Sequence, residues 1–361
     1  MATKRAYKQI KYGIIRQNPA SAAATAFMAI GNTSNQWTNP GLAATNYRTV
    51  YYTAGVPIPD PGVTVDEYNV TSQLGLNKEL TNFFIDKRSG LARLNFSAPL
   101  DVKTLAPHLI GALQAVVEDA GTPFQKVITS GFTAGTIDFK AGSGYLHSLA
   151  INQGASADDG TILENAIIDT LNLTFDFNAK GVARLVQIDG SWVGNEMNFD
   201  QTLSGTWVST TLTPLNNLDL FSFNTFTVDS VDWSTMCIRR MVLSINNNVT
   251  SNCATTAGKP NQYDVMPEIT WTIVLDHNST TEKLMGDFQA GAAVDIDLIN
   301  DYAVAVSDGA LQLDTPNCRI IAPPQVYNGD FLGYSLQARA YQSSTTSPLT
   351  VTFIDTLDWG Y

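Results

Sequence analysis

The sequence predicts a mainly β chain of α+β type, with two tandem β-rich units that each carry one flanking helix. Three observations lead there. Runs of alternating residues recur, as where Leu171, Leu173, Phe175 and Phe177 interleave with Asn172, Thr174 and Asp176, and a period of two marks a half-buried strand. Helical spacing is confined to two short stretches. The order strand, polar loop, helix, strand, hairpin occurs around Leu91–Gly194 and returns around Ile269–Tyr341 with different residues.

At 361 residues, each half is long enough to bury its own core. The 33 acidic and 21 basic residues give a net charge of -12, which excludes a binder that clusters Lys and Arg on phosphates. An acidic wall is still compatible with nucleic acid passing by, because it repels phosphate. Only 15% of residues are charged, while Thr, Asn, Ser, Ala and Gly abound. Such a surface suits packing against other copies, since little charge is desolvated. Cys237, Cys253 and Cys318 have no CxxC spacing and read as buried thiols, with a Cys237–Cys253 bridge as the alternative. That fits a reducing compartment. No run approaches the ~20 apolar residues of a membrane span, so no membrane partner is expected. Lys4, Arg5, Lys8 and Lys11 ahead of Ala20–Ala26 look like a signal peptide, but Arg16, Asn18 and Pro19 interrupt the apolar region, and export is not expected.

Residues 1–60 hold Pro19, Pro40, Pro57 and Pro59 among small residues and read as an extended N-terminal arm with short strands such as Arg48–Thr53. The arm either lies along a neighbour or is disordered. The first module, 61–205, opens near Val63. Ala92, Leu94 and Phe96 form a half-buried strand, and Ser97–Asp101 a loop. A helix follows, with Thr104 as N-cap and Pro107 in its first turn. Its stripe is Leu105, Leu109, Leu113 and Val116, and Gly121 ends it. The alternating strand from Leu171 turns at Asn178–Gly181, returns through Val182–Ile188, and passes Asp189-Gly190 to Trp192. One apolar and one polar face place this hairpin between a core and a wet surface.

The second module, 206–361, begins with a connection over 206–235. Met241, Leu243 and Ile245 form a strand, followed by a polar excursion through Asn246–Ser251 and Gly258–Pro260. Ile269, Trp271, Ile273 and Leu275 form another, Asp276–Thr280 the polar loop, and Thr281–Gln289 a helix closed by Gly291. Val294, Ile296 and Leu298, then Tyr334–Ala340 and Leu349–Phe353, supply the last strands. Residue identity between the modules is poor, so the duplication rests on element order.

Little in the chain points to chemistry. His108, His147 and His277 lack metal-ligand spacing and read as surface or half-buried structural residues. Asp295, Asp297 and Asp301 lack the glycine and terminal glutamate of a calcium loop and read as a solvated strand face. Asp158-Asp159-Gly160 reads as a turn that would hold a cation only weakly. Gly258-Lys259-Pro260 is not a phosphate loop, and Gly142-Ser143-Gly144 is not a dinucleotide fingerprint. No GxSxG elbow or Cys–His pair occurs. No catalytic residue, metal or cofactor is expected, although paired carboxylates for glycoside hydrolysis meet only in a fold.

The segments LNLTFDFNAKGVARLVQIDGSWVG (Leu171–Gly194), MPEITWTIVLDHNSTTEKLMGDF (Met266–Phe288) and YNGDFLGYSLQARAY (Tyr327–Tyr341) resemble the major tail tube protein of long-tailed bacteriophages, in the form with a duplicated tube module. The likeness is one of general character over about two thirds of the chain and excludes residues 1–60. It implies two β-sandwich modules, each with a flanking helix, whose strands close with those of other copies into the inner β-barrel of a ring. Single-module members form hexameric rings, so a two-module chain implies a homotrimeric ring with pseudo-sixfold symmetry. The rings would stack into the virion's tail tube, assembled in the host cytoplasm on a tape-measure scaffold protein and bounded by tail-end proteins. DNA would pass through the lumen without specific binding.

On this view Asn172, Thr174 and Asp176 look into an acidic, hydroxyl-rich lumen, the simpler alternative being that they face bulk solvent. The arm and the Asn246–Pro260 excursion, with Tyr51, Asn248 and Lys259, are candidates for inter-ring contacts. Two rival classes stand beside it. A capsid or decoration subunit would be expected to show a long central helix, which the pattern lacks. A bacterial surface or carbohydrate-binding β-sandwich would need a secretion signal and an aromatic platform, whereas Trp192, Trp207, Trp233 and Trp271 read as core.

Overall fold

The computed structural model describes residues 11–16, 48–50, 52, 60–62, 64–69, 80–86, 91–118, 124–131, 136–138, 145–152, 160–178, 185–201, 224–228, 231–232, 238–254, 260–276, 279–300, 311–323, 325–328, 332–343 and 346–355. Strands β1 (Lys11–Arg16), β2 (Arg48–Val50), β3 (Thr64–Asn69), β4 (Leu80–Asp86) and β5 (Ala92–Pro99) precede helix α1 (Val102–Leu113). Next come β6 (Gln114–Glu118), β7 (Phe124–Ser130), β8 (Thr136–Asp138), β9 (His147–Asn152), β10 (Gly160–Asp176), β11 (Gln187–Gly194) and β12 (Glu196–Gln201). Strands β13 (Asn224–Val228), β14 (Val231–Asp232), β15 (Ile238–Asn246), β16 (Thr250–Ala254), β17 (Pro260–Asp264) and β18 (Glu268–Asp276) lead to α2 (Ser279–Ala290). The last are β19 (Ala293–Asn300), β20 (Leu311–Ile320), β21 (Gln325–Asn328), β22 (Leu332–Ala340) and β23 (Thr350–Asp355). The described chain is mainly β, as its alternation predicts.

The second half of β10 pairs with β11 on one edge and β15 on the other. Extended through β5, β18 and β22, this makes an antiparallel sheet in the order β5-β11-β10-β15-β18-β22. Alternation decides its two faces. Leu171, Leu173, Phe175, Leu243, Trp271 and Leu336 are all buried on one side. They share a continuous core with Leu105, Leu109, Ile110 and Leu113 of α1. Each such side chain stabilises the fold by roughly 1.5–3 kcal/mol on leaving water.

Two sets of strands make the same pairings. In one, β1 pairs with β2 and β9, β9 with β10, β10 with β11 and β12, and β11 with β5. In the other, β13 pairs with β14 and β19, β19 with β20, β20 with β22 and β23, and β22 with β18. All are antiparallel, and β5 and β18 each lead into a helix. Strand β21 continues the course of β20 along β22, with Ile320 opposite Ala338 and Gln325 opposite Ser335. Strand β15 joins the sets, pairing with β10 from Thr170↔Asn246 to Asp176↔Arg240 and with β18 on its other edge, and β23 of the second set also pairs with β7.

Several local expectations are revised. Residues 11–16, read as part of an arm, form a strand paired with β2 and β9, while 48–50 falls within the expected strand Arg48–Thr53, and Tyr12, Ile14, Val50 and Tyr52 are buried. The short period-two pattern of Tyr12 and Ile14 was hidden by the proline- and alanine-rich sequence after it. Apart from Tyr52 and Asp60, the remainder of 1–60, with Tyr51, lies outside the described residues.

Helix α1 is capped by Asp101, not Thr104: Asp101 Oδ1 accepts from the Lys103 N–H at 3.2 Å. It ends at Leu113, not Gly121. Gln114 takes a left-handed φ of 68° and its Nε2 donates to the carbonyls of Ile110 (3.2 Å) and Gly111 (3.0 Å). Val116 therefore belongs to β6, where β-branched residues are favoured.

Gly190 sits within β11. A Cβ there would lie 2.1 Å from the Thr170 carbonyl oxygen, beside a bulge in β10 between Ile168 and Thr170. The polar excursion contains a hairpin, β16–β17, which pairs with β8. Helix α2 matches its expected span and closes at Gly291, with φ 60° and an Ala292 N–H to Asp287 carbonyl bond of 3.0 Å.

Candidate functional site

The side of the six-stranded sheet away from the core is polar, and register arranges it in rows. The row through Asn172 runs Ser97, Asp189, Asn172, Ser244, Thr270, Arg339. The next runs Pro99, Gln187, Thr174, Val242, Thr272, Gln337. The Asp176 row continues through Arg240, Val274 and Ser335. Most of these side chains are half-buried by their neighbours, while Arg240 and Gln337 are exposed. Asn172, Thr174 and Asp176 are thus brought together on one face. Hydrogen bonds cross-link it: Asn172 Nδ2 donates to Asp189 Oδ2 at 2.9 Å, and the Thr170 and Ser191 hydroxyls lie 2.9 Å apart.

Charge on this face comes largely in pairs. Arg93 meets Asp169 at 2.6 Å, Arg239 grips Asp276 through two bonds of 2.9 and 3.1 Å, and Arg339 meets Glu268. Asp176 has Arg240 as its register partner. The face is hydroxyl- and amide-rich, and most of its carboxylates have an arginine beside them. Alternation marks which residues share a face; only strand pairing reveals that arginines neutralise its carboxylates.

Asn248 occupies the turn between β15 and β16, exposed, with φ 47°. Its Nδ2 donates to the Met266 carbonyl at 3.0 Å, and it borders a groove of about 510 Å³ that also involves Met266, Pro267, Tyr341 and Pro348. Met266 is 75% exposed. Lys259 and Tyr51, the other two inter-ring candidates, lie outside the described residues.

The histidines are more buried than expected. His108 and His147 are enclosed by an aromatic cluster around Trp192, with ring centroids 5.8 and 5.3 Å from it. Burial pushes His108 down to about 4, only partly opposed by the Thr104 carbonyl, 2.7 Å from Nδ1. A neutral imidazole donating to a backbone oxygen is a structural part. His277 lies outside the described residues. Cys318 is a buried free thiol, pushed up to about 12 by burial and therefore protonated. Among the described residues no group of three or more His, Cys, Asp or Glu is placed to hold a metal.

Asp297, read as part of a solvated strand face, is half-buried and has Asp314 as its register partner on β20. Burial, then the hydrogen bond and charge of Asp314, then Asp295, push its carboxyl up to about 7, with Thr227 opposing. The folded state therefore holds a proton that the unfolded chain releases near 4. This contribution is fully present below that value and is lost as pH rises through about 7. Asp297→Asn should remove the slope and, allowing for solvent screening, stabilise the protein by on the order of 1 kcal/mol at about pH 8 while changing little at about pH 4. Urea midpoints at the two pH values check this.

Two features gave no signal in the sequence: the bridge between Asp60 and Arg93, and fully buried Asn247, hidden in an Asn-Asn-Asn run. No protein-family model matches the chain, and no curated protein matches it.

Proposed function

We propose that the chain is the structural subunit of a phage tail tube. In this reading two tandem β-sandwich modules, with the strand sets above as their frameworks, close with sister copies into a homotrimeric, pseudo-sixfold ring. Its inner wall is a β-barrel, and stacked rings form the conduit for genomic DNA. The tape-measure scaffold and tail-end proteins are its partners, and it carries no cofactor and performs no catalysis.

The observation that carries the reading is a sheet continuous across the two strand sets, with one face core and the other in largely polar rows whose charges come mostly in pairs. A curved sheet of this kind makes a wall: apolar outside against the helix layer, wet inside. Size agrees. The six sheet strands, β21 beside β22, and the Asp60 position make about eight strand places per copy, so three copies supply about 24. At a spacing of ~4.8 Å the circumference is about 115 Å and the diameter about 37 Å, before strand tilt widens it. Barrels of 16–18 strands already leave an aqueous channel.

Hydroxyls, amides and internally paired arginines offer a phosphate backbone few unpaired cations, so duplex DNA can slide. Thr174→Lys, on a row without charge, should leave assembly intact and slow DNA release from phage particles, with the delay shrinking as salt rises. Unchanged release from assembled particles would count against a lumenal position. Negative-stain microscopy of concentrated protein tests the whole reading: rings or hollow tubes support it, and monomers at every concentration overturn it.

A further inference from the structure

Within the chain, the second half of β10 is covered on its outer edge by β15, whose other edge lies on β18. In the second strand set the place of β10 is taken by β20 continued by β21, because both run along β22 as β10 runs along β11. Among the described residues β21 pairs with β22 alone, so the edge that β15 covers in the first set is uncovered in the second. An uncovered edge presents a row of backbone N–H and C=O groups to any strand that fits.

The position equivalent to β15 in the first set is marked by Asp60. It exchanges both backbone hydrogen bonds with Arg93, at 3.0 and 2.8 Å, on the edge of β5 opposite β11. Counting back from each helix start, Arg93 on β5 stands where Thr270 stands on β18. Thr270 faces Ser244, and Ser244 faces Asn172. Among the described residues, one chain thus carries an open edge at one end of its sheet and, at the other, the neighbour that such an edge takes within the chain.

We infer that the β21 edge is filled by a second copy of this chain, docked through its Asp60 position so that the seam between copies repeats the β10–β15 junction. Carrying the register across places Gln325, which faces Ser335 as Asn172 faces Asp189, opposite Asp60 of the next copy. The seam is head-to-tail, a kind that makes a ring when its rotation closes. It deepens the tube reading and rests on it for closure, but not for what occupies the bore.

Asp60 spends both backbone groups on Arg93, so its pair with Gln325 would be of the close, non-hydrogen-bonded kind, with Cα atoms about 4.5 Å apart and within disulfide range. The test is oxidation of assembled protein carrying Asp60→Cys with Gln325→Cys. Both single variants control for native thiols, and Asp60→Cys with Asn328→Cys serves as an offset pair about 10 Å out of register. The expected result is a non-reducing gel ladder of covalently joined chains that stops at three and collapses on reduction, given only by the Gln325 pair. If rings or tubes are visible by microscopy but that pair joins chains no better than the offset pair, the seam is wrong while the tube reading stands. A disulfide confined within single chains also overturns the seam. Protein that stays monomeric overturns both.

Discussion

Trp192→Ala should destabilise the protein by about 3–5 kcal/mol, the range for emptying a large aromatic site in a rigid core. Trp192 is fully buried on β11, with Phe96, His108 and His147 around it at centroid distances of 6.5, 5.8 and 5.3 Å. Its ring also fills the space above Gly111, where a Cβ would lie 2.6 Å from Cη2. These neighbours sit on β5, α1 and β9, and each is held by its own packing, so the cavity cannot collapse. Urea unfolding measures the loss, and a change below about 1 kcal/mol would mean that the cluster relaxes into the space.

Asn247→Ala should cost about 2–4 kcal/mol by orphaning two buried carbonyls. Its Nδ2 donates to the carbonyls of Ala112 (2.9 Å) and Ile168 (2.7 Å). Both lack an ordinary partner for a physical reason: Ala112 is in the last turn of α1, and Ile168 borders the bulge in β10. The Asn247 backbone is also tied, its N–H to the Asp169 carbonyl at 2.7 Å and its carbonyl to the Met266 N–H at 2.8 Å. The residue therefore bolts the end of β15 to the helix and to β10, where the two strand sets meet. Asn248→Ala, one exposed residue further on, should cost only about 1 kcal/mol, from an exposed hydrogen bond and the lost tolerance of asparagine for its positive φ. Equal losses in the two variants would show that the buried amide is not what holds the junction.

Alternation made most strands of the large sheet legible, because a period of two follows directly from one wet and one dry face. Leu171 to Phe175, Met241 to Ile245 and Ile269 to Leu275 fall where the pattern puts them. Neighbours were not legible, since alternation identifies a face but not the strand beside it. The pairing of Asp297 with Asp314 exists only through register. The end of α1 was misread because a glutamine side chain, not the distant Gly121, satisfies its carbonyls. The need for glycine at 190 was not legible, because only the fold brings the Thr170 carbonyl against it. The polar rows could be foreseen from Asn172, Thr174 and Asp176; the arginines that balance their charge could not.

End-on cryo-electron microscopy of assembled protein, with a gold cluster on Thr174→Cys, puts the inner-wall claim to its most direct test. The account predicts closed rings with one label per copy projecting into the central opening. Labels on the outer surface, or assemblies that lack an opening, would contradict it.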